Sequence, residues 1–598
     1  MWRRLPALLL ASGLAALVGA TPGAARTLMA DDVQRIIGQA VAEANAVGLP
    51  VNIVVVDREG RVLGTHTMLG ARAFTRVRGG GRVSDGIEGL CIAPSQYRPD
   101  VSPQAALAAA FDPAQCPPSP PSPLNGGVLA AMSKAGTAAF FSTQGNAFST
   151  RTAGFIIQEH FPPLIINASG GPLFGVQFSQ LPCGNVIPYG QTYPSPPLPP
   201  LPAGTLPLGL SADPGGLPLY AGGQAAGGVG VEGDGRYSVD RNPGAGTVTL
   251  EERIAVAATR GFEAPDDIRG DKILLNGLRF PFVNVEGVPD RRPAKVVFGP
   301  DDVPPMDTQP SRFMPMTLGG VRGTIDPQYF PAQASQVPAV GEKGLTATEV
   351  SKILGRGARQ ADRTRAAIRR PLGDRARVNI TVVDRGGNVL GIFRTQDAPT
   401  FGFDVSAQKA RTALSFSSAG AGAALRAADA PPVTVTAPFV HAAARDGLRL
   451  DGSVAFSDRA QGFLSRPFFP DGIDATVHGP FSVPIGEFSV FNTGLQINLA
   501  RGALFNILTL NLPLPTVCSG APGLGNGIQI FAGSVPLYRG ETLVGAVGVS
   551  GDGIEQDDLV AYAAGRGFRA PSRIRADRVH VRGVRLPFVK FPRRPITR

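Results

Sequence analysis

The chain contains one pattern twice, and that repeat limits it to a fold that can be built two times over in tandem. Val51-Asn-Ile-Val-Val-Val-Asp57, followed by Gly60 and Gly64, returns as Val378-Asn-Ile-Thr-Val-Val-Asp384, followed by Gly387 and Gly391. Lys134-Ala-Gly-Thr137-Ala138 returns as Lys409-Ala-Arg-Thr412-Ala413, and Leu217-Pro-Leu-Tyr220 as Val535-Pro-Leu-Tyr538. Arg260-Gly-Phe262 with the run Gly277 to Val283 closes the first copy, as Arg566-Gly-Phe568 with Gly583 to Val589 closes the second. Four blocks in one order mean duplication. With 598 residues, 43% of them hydrophobic, the chain has material for two buried cores.

Within each copy the periodicity predicts a helix, then a strand, then a hairpin. Val33, Ile36, Ile37, Ala40 and Val41 recur at helical spacing, and Val350, Ile353 and Leu354 repeat that opening. Val51 to Val56 reads as a buried strand, and Asp57 to Gly60 as a turn, with Asp384 to Gly387 as its counterpart; these aspartates and glycines are read as turn chemistry. The Lys-Ala-x-Thr-Ala segments are predicted to be small-residue helices packed closely on the sheet. Gly540 to Ser550 is a Gly-rich strand, followed by a helix whose acidic start at Asp557 and Asp558 suits its N-terminal end. Glu251 and Glu252 hold those positions in the first copy.

Spacing between the blocks locates the insertions. The expected organisation is a leader over 1–25 and a first domain over 26–288 with insertions at about 76–128 and 142–212. A Pro-rich linker over 289–341 follows, then a second domain over 342–598 with an insertion at about 418–526. The linker is read as a semi-rigid spacer or a strap. Arg151-Thr-Ala-Gly-Phe155 recurs inside the long insertions as Arg459-Ala-Gln-Gly-Phe463, so part of this elaboration predates the duplication.

Met1-Trp-Arg3-Arg4 followed by the apolar run Ala7 to Ala20 reads as a secretory signal peptide, since such a run spans only about 21 Å against the ~30 Å of a bilayer core. No later segment has the apolar length of a transmembrane anchor. The mature chain is therefore expected to be exported, periplasmic or extracellular, where its four cysteines can pair. Cys91 and Cys116 share an insertion, which favours their pairing; Cys183 and Cys518 occupy corresponding regions and leave a bridge between copies open. No Cys-x-x-Cys or closely spaced Cys/His pair suggests zinc or a covalently attached heme. The net charge of +11 favours anionic ligands, but spread arginines and 7% aromatics argue against nucleic acid.

The order of these elements resembles the GlcG/HbpS-type heme-binding family: an amphipathic helix, a Val-rich strand ending in Asp-x-x-Gly, the Lys-Ala-x-Thr-Ala helix, then Val544-Gly-Ala-Val-Gly-Val-Ser-Gly551 and an acidic helix start. The second copy carries the last motif nearly complete, while Glu232 replaces Ser550 in the first. The resemblance implies an α+β fold, two tandem domains each an antiparallel sheet flanked by helices, fused as a pseudo-dimer of a kind that also forms homo-oligomers. It further implies heme, or another anionic small molecule, as ligand. Lys134, Thr137, Lys409 and Thr412 are the candidate cofactor-binding residues, a cation and a hydroxyl in each copy for a propionate or an iron; helix surface and helix packing explain them equally. None of the five histidines, His66, His160, His441, His478 and His580, recurs at an equivalent core position, so no repeated axial ligand is predicted.

Gly228-Val-Gly230-Val-Glu-Gly233 matches a dinucleotide fingerprint but does not open a βαβ unit, and Ala546 stands for Gly228 in the second copy. Gly548-Val-Ser550-Gly551 lacks the last glycine of a nucleophile elbow. With no Ser/His/Asp set common to both copies, the sequence reads as a non-catalytic exported binding protein for heme or a related planar anion. The rival readings are an assembly protein whose insertions make intersubunit contacts, and a heme-degrading enzyme.

Overall fold

The computed structural model describes residues 26–92, 111, 125–187, 204–275, 277–337, 341–509 and 516–596. The expected leader and Cys116 lie outside them. The first helix, Ala30–Val47, buries Val33, Ile36, Ile37 and Ala40 completely, and it stops where Gly48 takes a left-handed φ of 70°. Strand β1 (Asn52–Asp57) is buried along its whole length and turns into β2 (Val62–Thr67). The turn is held as predicted: Asp57 Oδ1 accepts from the amides of Glu59 (2.8 Å) and Arg61 (3.0 Å), and Asp384 Oδ1 accepts from those of Gly386 (2.8 Å) and Asn388 (3.0 Å).

Strands β3 (Thr75–Arg78) and β4 (Cys91–Ile92) come from the first insertion. Strands β5 (Gly216–Ala221) and β6 (Gln224–Glu232) complete an antiparallel sheet of order β2-β1-β6-β5, while β7 (Arg236–Ser238) joins β3 and β4 in a separate sheet of order β4-β3-β7. A short hairpin, β8 (Leu274–Leu275) and β9 (Leu278–Arg279), ends the first repeat. In the second repeat β10 (Met314–Leu318) and β11 (Val321–Ile325) add to β12 (Val378–Asp384), β13 (Val389–Thr395), β14 (Ser534–Arg539) and β15 (Thr542–Gly551) in the order β10-β11-β13-β12-β15-β14; β16 (His580–Val581) and β17 (Val584–Arg585) form the closing hairpin. Four strands thus share one order in both repeats, and the register matches too: Asn52 faces Glu232 as Asn379 faces Ser550. The fold is α+β, duplicated. The Gly-x-Gly-x-x-Gly run lies along β6 and just beyond it, in an antiparallel sheet, so it opens no nucleotide-binding helix.

The lysine helices, Gly126–Phe141 and Gly402–Phe416, have every residue buried against these sheets. Their approach explains the glycines beneath them. A Cβ on Gly230 would lie 2.0 Å from Ala131 O, and one on Gly548 would lie 2.0 Å from Ser406 O. No side chain fits such a gap without moving the helix.

The linker serves both repeats. Its first part straps the first repeat, with Ala294 N donating to Gly38 O (2.9 Å), Met306 N to Leu63 O (2.9 Å) and Thr308 N to Leu28 O (2.9 Å). Its second part carries the β10–β11 hairpin, which pairs with β13 through Gly323 and Thr324. The long insertions cross over as well. Gln180 of the first donates from its amide to Asp404 Oδ2 (2.9 Å), and Gln496 of the second donates from Nε2 to Gly175 O (2.8 Å). Phe141 packs on Phe401 with ring centroids 4.5 Å apart, and a Cys183–Cys518 disulfide ties the two insertions together. Of the pairings left open by the sequence, the bridge between copies is formed; Cys91 is disulfide-bonded too.

Candidate functional site

All four candidate residues are fully buried, not on helix surfaces. Lys134 Nζ lies 2.7 Å from Asp213 Oδ2 and 2.7 Å from Glu232 Oε2, with Glu251 at 3.8 Å, and it donates to Val231 O (3.0 Å). Lys409 Nζ lies 3.0 Å from Asp557 Oδ2, donates to Val549 O (2.9 Å) and sits 4.6 Å above the Phe531 ring. Thr137 donates to Ser133 O (2.7 Å) and accepts from Ser211 N (2.6 Å), while Thr412 donates to Gln408 O (2.8 Å) and accepts from Gln529 N (3.0 Å). Each hydroxyl bonds its own helix and holds the strand-side loop over it, so the repeat of Lys and Thr marks internal joints.

Their electrostatics follow from burial. Desolvation works against a charged Lys134, but Asp213, Glu232 and Glu251 outweigh it and hold the ammonium well above the ordinary lysine value. Burial raises Glu232 well above the carboxylate range against the pull of Lys134, and raises Glu251 to about 7. Glu232 and Glu251 are thus both biased by burial toward their protonated forms. In the second repeat burial lifts Asp557 to about 7 despite Lys409. Glu251 and Asp557, predicted as helix-start acids, also serve these lysines. Asp213 went unnoticed in the sequence because nothing local relates it to Lys134.

A second repeated joint leads to an open site. Arg151 Nε reaches Glu252 (2.6 Å) and Arg151 Nη1 reaches Asp240 (2.5 Å), filling its fork. Arg459 instead meets Asp558 alone (2.5 Å), and among the described residues its Nη2 has no hydrogen-bond partner. Arg459 lines a cavity of about 750 Å³ between the repeats. Phe161 of the first repeat closes one side, facing Phe463, Phe531 and Phe588 of the second. Arg466, Arg585 and Lys590 add positive charge. Arg466 is 8% exposed, its Nη1 lacks a partner, and burial lowers its pKa against the pull of Asp471. The lining carboxylates are engaged: Glu555 with Lys590 (2.6 Å), Asp471 with Arg466 (3.7 Å) and Asp577 with Arg575.

Such a cavity suits a flat apolar body with anionic groups at its edge. It supplies the slot and the cations that a porphyrin requires, but among the described residues no histidine, cysteine, methionine or tyrosine lines it to ligate an iron. His66 pairs with Asp302 (2.9 Å), His160 bonds Ala168 O (2.7 Å) and His478 bonds Gly479 O (2.8 Å), while His441 and His580 are exposed; none lines this cavity. Arg459 and Phe463 were visible in the repeated block, and Phe588 in the closing one. That Phe161 would face them from the other repeat was not.

A family model described as "Haem degrading protein HbpS-like" matches residues 358–457 and 514–566. No curated protein matches the chain. Among solved structures the chain is similar to protein ORFY of Klebsiella pneumoniae, at 16% identity and a TM-score of 0.19, covering 41% of this chain and 96% of that one. It is similar to a PduOC:heme complex at 16% identity and a TM-score of 0.18, covering 38% and 98%. A double mutant of Streptomyces reticuli HbpS aligns at 17% identity and a TM-score of 0.18, covering 42% and 98%. The matched residues lie in the second repeat, which is similar to that family, and the first repeat has the same strand order and the same buried lysine.

Proposed function

We propose that this chain is an exported, non-catalytic binding protein that takes up heme, or a related anionic planar molecule, in the cavity between its repeats. The observation that carries the reading is the cavity itself, where four phenylalanines from both repeats meet guanidinium nitrogens that nothing else in the described residues satisfies. Arg459 and Arg466 would hold carboxylates at the ligand edge, and the phenyl walls would exclude water from its faces. The family's description supports heme as the molecule. Export is supported by the Cys183–Cys518 bridge and the apolar run at the N-terminus. Among the described residues no helix is long and apolar enough to cross a membrane.

Hemin titrated into residues 26–598 tests the reading. Saturation near one heme per chain with a shifted Soret band is expected, weakened about ten-fold in Arg466→Met; a flat titration overturns it. The family's description also raises turnover. Engagement of every lining carboxylate with a cation speaks for binding, because no acid stands ready to move a proton. Bound heme bleached by peroxide faster than free heme would make the protein an enzyme instead.

A further inference from the structure

The first repeat holds a second cavity, of about 710 Å³, on a small sheet that, among the described residues, the second repeat lacks. Arg72, Arg76, Arg78, Arg236 and Arg241 line it, with Phe74 as an apolar wall. On β3, Arg76 and Arg78 alternate with the buried Thr75 and Val77, so both arginines share the outer face. The parallel register sets Arg236 of β7 beside Arg76 and so brings the arginines of both strands to one face.

Backbone geometry makes room for these side chains. A Cβ on Gly80 would lie 2.6 Å from Arg241 Cδ, and one on Gly235 would lie 2.8 Å from Arg72 Cδ. Arg241 is pinned by Glu159 and donates to Gly80 O (3.1 Å), and Arg76 donates to Gly89 O (3.2 Å). Among the described residues, Arg72, Arg78 and Arg236 form no ion pair. Two acids also line it, each hydrogen-bonded to a backbone amide. Glu88 accepts from Gly79 N at both oxygens (3.0 and 2.8 Å), and Asp234 accepts from Arg236 N (2.8 Å). In the second repeat the counterpart of Asp234 is Asp552, which is buried against Arg369 (2.7 Å), so the same corner is closed there.

We infer that this cavity binds a small molecule carrying two or more phosphate or sulfate groups, held by the forked guanidinium groups of Arg78 and Arg236 across β3 and β7. Planar, permanently charged forks match tetrahedral oxyanions at two oxygens each, and several around one space favour a multiply charged ligand over a single anion. The site is separate from the cavity between the repeats.

Calorimetric titration of residues 26–598 with inorganic triphosphate and, in parallel, with a trisulfated disaccharide tests this. Saturable binding of at least one probe is expected, with affinity falling as salt rises. Arg78→Ala and Arg236→Ala are each expected to weaken it about ten-fold, and Arg236→Lys less than Arg236→Ala. Both positions are exposed, so these variants keep the fold, which circular dichroism checks. Preference between the probes tells phosphate from sulfate. Binding of neither probe, or binding unchanged in both alanine variants, overturns the inference. Hemin binding should be untouched in Arg236→Ala; its loss would place hemin in this cavity and overturn the claim of a separate site.

Discussion

The two repeats solve one problem differently: each buries a lysine under its sheet. In the second, Lys409 meets one carboxylate, one carbonyl and the face of Phe531. In the first, Lys134 meets three carboxylates. The substitutions responsible can be placed from the backbone. Gly215 and Gly533 stand at the same point, each with its Cβ direction toward the lysine ammonium, so Asp213 occupies the position of Phe531. The shared register puts Glu232 where the second repeat has Ser550. Phe531 also walls the cavity between the repeats. Glu232, in turn, accepts from Thr75 Oγ1 (2.9 Å) and so anchors the inserted strand β3. One copy thus spends the site around its lysine on a ligand wall, the other on fastening an insertion. A conserved framework can carry a different charge balance in each copy because backbone packing of helix on sheet, not the lysine's partners, sets the fold.

The largest expected effect breaks the comparison outright. Lys134→Met strands three buried carboxylates and should cost about 3–5 kcal/mol, read by urea unfolding. Lys409→Met removes the ammonium that contacts Asp557 and also draws on buried Asp458 and Asp558 from farther off, and should cost about 1–3 kcal/mol in the same assay. Equal losses would show that the extra acids of the first repeat do not act on its lysine.

A pH series should show where the repeats agree. Glu251 and Asp557 are each raised to about 7 in the folded protein, above the ordinary values of 4.5 and 3.8. The folded state therefore binds these protons more tightly than the unfolded chain. The stability they contribute is fully present below about pH 4 and is lost as pH rises through 7. Melting temperature should accordingly fall between pH 5 and pH 8, and Glu251→Gln and Asp557→Asn should each flatten that fall. A fall left unchanged by both substitutions would remove these acids as its source.

The smallest effect sharpens the comparison. Glu232→Ser, which copies the second repeat, should cost about 1 kcal/mol and speed amide exchange in β3 while leaving β1 protected. Uniform loosening of both strands would deny Glu232 its anchoring role.

Much of the fold could be read in advance because it rests on local signals. Valine-rich runs marked β1 and β12, Asp57 and Asp384 marked their turns, and the alanines of the lysine helices marked close packing on glycine strands. Less of the candidate sites could be read. Lys134 and Lys409 stood out by repetition, yet repetition does not say which way a side chain points. Their burial depended on Asp213 and Asp557, far away in the chain. The arginines of β3 and β7 were scattered residues until a parallel pairing set Arg76 beside Arg236.

The sequence by itself determined the duplication, the α+β order of elements and the acids that begin the last helix of each repeat, since all of these are written in periodicity and local spacing. The tertiary structure alone decided that the insertions cross between repeats, that Cys183 meets Cys518, and that phenylalanines from both copies wall one cavity. Those contacts join residues separated by hundreds of positions. What selects them is the shape and charge of the surfaces left once both cores have formed, which no short stretch of the chain encodes.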